Sequence, residues 1–99
     1  MNPTLKTQWI AALRSGEYIQ GRGHFRTIED QYCCLGVLCM VLNRPDLMHD
    51  PVHTERFDDF AGLFEISGLA PGQGDALWRL NDVVNRTFNE IADWIETHI

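Results

Sequence analysis

Apolar positions recur at three different spacings along this chain, and each spacing predicts a different kind of element. Near the start, Leu5, Trp9, Ala12 and Leu13 fall three or four apart, the interval that lines one face of a helix. Asn2 can cap that helix, Pro3 takes its favoured first position, and Gly16 provides a stop. Near the end, Phe88, Ile91, Ala92, Ile95 and Ile99 form a second stripe at helical spacing. The stripe follows Thr87-Phe88-Asn89-Glu90, a capping box in which threonine and glutamate each satisfy one orphan amide. In the centre, Tyr32 to Leu42 is apolar on every side, which predicts a buried helix that ends at Asn43-Arg44-Pro45. Gly36 in its middle costs about 1 kcal/mol of helix propensity, so its presence suggests close approach of another backbone or of a ligand.

Between the first and central helices the pattern changes. Gly21 and Gly23 break any helix, and His24-Phe25-Arg26-Thr27-Ile28, a turn at Glu29-Asp30, and Gln31-Tyr32 read as two short strands of a hairpin. A two-stranded hairpin is marginal alone, so it is expected to pack on the central helix. From Asp46 to Gly74 the chain is hard to read. Phe57, Phe60, Ala61 and Phe64 suit a short amphipathic helix, while Pro51, Pro71 and the glycines mark loops. Asp75 to Asp82 suits a further short helix with Leu77 and Leu80 inward. The expected fold is α+β: one small domain over residues 1–99, mainly helical, with a short β-hairpin on a buried central helix.

Composition narrows the function. The net charge is -6, from 8 basic and 14 acidic residues. General nucleic-acid binding is disfavoured, because phosphate neutralisation needs a basic surface. No apolar run reaches the roughly 20 residues of a membrane helix, and no leader sequence is expected from Met1-Asn2-Pro3-Thr4, which has no basic patch followed by an apolar stretch. The 3 cysteines, Cys33, Cys34 and Cys39, share one apolar stretch, and their odd number fits reduced thiols better than a disulfide framework.

Three segments together resemble a known family. They are Tyr32-Cys33-Cys34-Leu35-Gly36-Val37-Leu38-Cys39, the stretch Ala12 to Gly23, and Leu80-Asn81-Asp82 followed by Phe88-Asn89-Glu90-Ile91-Ala92-Asp93-Trp94-Ile95-Glu96. They look like the hallmarks of small bacteriophage and prophage proteins, most of them uncharacterised. Met40 departs from the pattern, which has an aspartate there, so any role of that acid does not carry over. The resemblance implies a phage setting and a place in the host cytoplasm. Small phage proteins of this size often counter host defence, some by sequestering cyclic-nucleotide immune signals and others by blocking a defence protein.

The candidate chemistry is a row of cations in an acidic chain. On a strand, Arg22, His24 and Arg26 would share one face with Phe25 on the other. Arginine grips phosphate through its planar fork, and flanking glycines let the backbone approach an anion. Tyr18 or Trp9 would stack on a base. The expected ligand is therefore a small anion of the nucleotide class, held without catalysis and without a cofactor, for no P-loop or dinucleotide-binding glycine motif is present. Salt bridges to Glu17, Glu29 or Asp30 are the plainer use of the same arginines. A cysteine hydrolase is the enzymatic alternative: Cys33 or Cys34 would open a helix and His24, His49 or His53 would act as base. No metal site is expected from the spacing of these residues. Trp94 and His98, four apart on one helix face, suit either a core contact or the interface of a homo-oligomer. The other alternative, a protein inhibitor of a host defence enzyme, would use Asp58, Asp59, Phe60 and Phe64.

Overall fold

The computed structural model describes residues 1–48 and 61–99. Among these residues the order of elements is α1 (Pro3–Arg14), β1 (Ile19–Gln20), β2 (Gln31–Tyr32), α2 (Cys34–Val41), a 3-10 turn (Pro45–Leu47), α3 (Ala61–Ser67), α4 (Pro71–Asp82) and α5 (Phe88–His98). The fold is α+β and mainly helical. Both terminal helices begin as their residues dictate. The Asn2 side chain accepts from the amides of Thr4 and Leu5, and Thr87 and Glu90 form the reciprocal capping box. Packing is organised around α2: α1 lies on α2 and α5, and α4 crosses to α2 and α5. Cys34, Leu35, Val37, Leu38 and Cys39 are fully buried at this centre.

The hairpin expected between Gly21 and Tyr32 is a different structure. β1 and β2 pair in parallel, Ile19 with Gln31 and Gln20 with Tyr32. The antiparallel component is a single bridge between Arg26 and Tyr32. The chain reverses twice between the two strands, first through bends at residues 22–25 and then at Thr27–Asp30, so the strands end up parallel. The second reversal is held by Thr27, whose amide donates to the Gln31 carbonyl and whose hydroxyl accepts from Gln31, with Asp30 at φ 58°.

Phe25 anchors this segment. It is 1% exposed, and its carbonyl accepts from the amide of Cys33. A Cβ on Gly36 would lie 2.0 Å from that same carbonyl oxygen. The glycine in the middle of α2 therefore admits the backbone of the 22–26 segment.

The loop expected up to Gly74 is partly helix. Pro71 opens α4 instead of marking a loop, and the Ala70 amide is capped by the Gln73 side chain at 3.0 Å. Gly72 and Gly74 lie inside α4, and a Cβ on Gly74 would sit 2.1 Å from the ring of Phe64 on α3. Close helix contact explains why a glycine occupies this helical position. Phe57 and Phe60, given to a helix by spacing alone, lie outside the described residues.

Candidate functional site

One buried polar residue links the elements around the candidate site. Asn81, near the end of α4, is 0% exposed. Its Nδ2 donates to the Gly21 carbonyl at 2.9 Å and to Asp82 Oδ1 at 2.7 Å. Its Oδ1 accepts from the amide of Cys34 at 3.3 Å and from Gln20 Nε2 at 2.9 Å. A buried amide with every partner satisfied fixes its neighbours in one arrangement. Here it ties β1, the first turn of α2 and α4 together. Gln20 Nε2 also donates to the Arg86 carbonyl at 2.7 Å, which brings the start of α5 alongside β1.

This arrangement forms a cleft of about 240 Å³ between the end of α1 and the start of α5. Gly16, Tyr18 and Gln20 line one side and Thr87, Phe88 and Asn89 the other. The Arg14 side chain also lines it, with its guanidinium engaged by Asp93 at 2.5 Å and Glu96 at 2.6 Å. The Thr87 amide, and then Arg86, hold the Glu90 carboxyl below its usual range.

The candidate residues are partly brought together. Tyr18 lines the cleft, and its ring meets Tyr32 edge-on with centroids 5.2 Å apart. Tyr32 is in register with Gln20 in the parallel pair and with Arg26 across the antiparallel bridge. Paired residues lie side by side on a sheet face, so Tyr18, Gln20, Tyr32 and Arg26 form one continuous aromatic and polar surface. Arg26 is exposed and lies 3.8 Å from Asp30, a weak surface pair. Exposed Arg22 and half-buried His24 do not extend this row, because residues 22–25 bend instead of forming a strand. The expected line of three cations on one strand face is therefore corrected to Arg26 at the bridge, with Arg22 and His24 in the bend. Trp9 is not available to stack on a ligand: it is 0% exposed and its Nε1 donates to the Cys34 carbonyl at 3.0 Å. The sequence reading overlooked Gln20 and Tyr32. Both lie in segments that carry the family resemblance, but only the parallel register and the Asn81 bond to Gln20 place them beside the cleft.

The thiols are core groups. Cys33 caps α2, its sulfur accepting from the Gly36 amide. That bond favours the thiolate, but burial outweighs it and, with Asp82, pushes the thiol up to about 12. Burial raises Cys34 well above its ordinary value and Cys39 to about 12. The activation expected of a thiol at a helix start is thus absent at Cys33 and Cys34. Among the described residues no group of three His, Cys, Asp or Glu side chains is placed to hold a metal. His49 and His53 lie outside the described residues, as do Asp58, Asp59 and Phe60, while Phe64 is buried against Gly74.

At the far end of α5, Trp94 and His98 stack with centroids 4.5 Å apart and an interplanar angle of 12°. His98 Nδ1 lies 2.9 Å from the Trp94 carbonyl. Trp94 is half-buried and His98 exposed, so the stack lies at the molecular surface. Among the described residues, no helix is long and apolar enough to cross a membrane.

No curated protein and no solved structure matches the chain. A family model matches residues 1–73, which take in α1, both strands, α2 and α3. Tyr18, Gln20, Arg26 and Tyr32 lie inside the match, and the cleft residues Thr87–Asn89 lie beyond it. With most of its length matched, the chain belongs to the family described as "Domain of unknown function (DUF8296)".

Proposed function

We propose that this protein binds a small anionic ligand of the nucleotide class and leaves it unchanged. The observation that carries the reading is the joining of the cleft to Arg26 through Tyr18 and Tyr32. A base in the cleft would stack on Tyr18, and Arg26 would meet a phosphate. A pocket of about 240 Å³ is below the range usual for drug-sized ligands, so it suits one ring with the rest of the ligand lying across the surface. Buried, protonated thiols support a binding role over a cysteine-dependent reaction. In the phage setting that the sequence resemblance implies, such a protein acts as a sponge for a cyclic-nucleotide immune signal in the host cytoplasm. The stacked Trp94–His98 pair supports self-association as the use of that face.

Calorimetric titration with a panel of cyclic di- and trinucleotides, followed by recovery of the ligand, tests this reading. Tight binding with the nucleotide recovered intact is expected, and Arg26→Glu should weaken it by at least about tenfold without loss of helical circular dichroism. A cleaved nucleotide would identify an enzyme instead. Unaltered binding by Arg26→Glu would remove Arg26 from the site.

A further inference from the structure

We infer that Gln20 makes the cleft selective for ligands that present an N–H edge, the mark of an amino- or imino-bearing base. This inference rests on the cleft being the binding site proposed above.

The orientation of the Gln20 amide follows from its partners. The Arg86 backbone carbonyl can only accept, so the Gln20 atom 2.7 Å from it is the nitrogen. The second partner is fixed in the same way. The Gly21 carbonyl can only accept, so Nδ2 of Asn81 points towards it. The Cys34 amide can only donate, so Oδ1 of Asn81 receives it and also receives Gln20 Nε2. Both hydrogens of Gln20 Nε2 are therefore used within the protein. Among the described residues Oε1 has no hydrogen-bond donor, and Gln20 lines the cleft. The amide cannot flip to offer its nitrogen without setting Oε1 against the Arg86 carbonyl and Asn81 Oδ1, two acceptors. The cleft thus offers a fixed acceptor. A ligand edge with an N–H completes it, whereas an edge with acceptors alone leaves two lone pairs opposed in a half-buried space. Sites built to hydrogen-bond a ligand group reject analogues lacking that group far more strongly than apolar pockets do.

The test is calorimetric titration of the whole chain with AMP, GMP, CMP and UMP, each of which carries a base N–H, and with purine riboside 5′-monophosphate, which has none. At least one of the four is expected to bind at least about tenfold more tightly than purine riboside 5′-monophosphate. Gln20→Met, which removes the amide acceptor, should bring the two affinities within about twofold. Equal binding of the two classes by the unaltered protein overturns the role of Gln20 and leaves the cleft as a binding site. Binding of none of the five overturns both. Should Gln20→Met not fold, the comparison on the unaltered protein still decides.

Discussion

At the scale of single residues, the structure depends on a few positions with no slack. Gly36 is one, because a Cβ there would lie 2.0 Å from the Phe25 carbonyl oxygen. Alanine would gain about 1 kcal/mol of helix propensity but would force α2 and the 22–26 segment apart. Overpacking of this kind typically costs about 1–3 kcal/mol, so Gly36→Ala should lower stability in urea despite the better helix former. Asn81 is another such position. Asn81→Ala would leave the Gly21 carbonyl and the Cys34 amide without their side-chain partner and should cost about 2–3 kcal/mol. The thiols give a pH dependence whose sign follows from burial. An unfolded cysteine releases its proton near 9.0, whereas folded Cys33 holds its proton to about 12. The unfolded state therefore binds fewer protons than the folded state between those values, and stability should fall as pH rises through that window. Chemical denaturation across pH 8 to 11 checks this, and a flat profile would contradict it. Gly36 was legible in the sequence because a glycine within an all-apolar helix asks for a close neighbour. Asn81 was not, since its partners beyond Asp82 come from two distant segments, at Gln20-Gly21 and Cys34, and one residue type cannot announce them.

At the scale of elements, what could be read depended on whether the deciding interactions are local. The starts of α1 and α5 are set by Asn2, Thr87 and Glu90 within one turn of chain, and they form where the residues place them. Thr87→Ala should accordingly cost about 1 kcal/mol of stability, measured by thermal unfolding, and it should also disturb one wall of the cleft. The α4 helix starts earlier than expected because Pro71 and two glycines resemble a loop until Gln73 is seen capping the Ala70 amide and Phe64 is seen filling the space over Gly74. The two short strands illustrate the opposite case. The alternation of residues gave the turn at Glu29-Asp30 but not the earlier reversal through residues 22–25, within which Phe25 is buried. With that reversal the expected row of Arg22, His24 and Arg26 dissolves, and Arg26 is placed beside Tyr32 instead. The candidate site was thus half legible: Tyr18 and Arg26 came from composition and spacing, while Gln20 and Tyr32 needed the strand register.

At the scale of the whole molecule, 99 residues support only a thin core, and association is a common source of further stability. The Trp94–His98 stack on α5 is the surface proposed for it. Sedimentation velocity should show an oligomer for the unaltered protein and a shift towards monomer for Trp94→Ala, whereas a monomer in both cases would remove this face from the account. The central claim concerns the start of α5, which with α1 and β1 encloses the cleft. A protein of this size gives a resolved amide spectrum, so the most direct measurement is nuclear magnetic resonance titration with the cyclic di- and trinucleotide panel. The account predicts that a bound nucleotide shifts the amide signals of Gly16, Tyr18, Gln20, Tyr32 and Asn89 together. No shifts across the panel, or shifts confined to residues remote from the cleft, would contradict it.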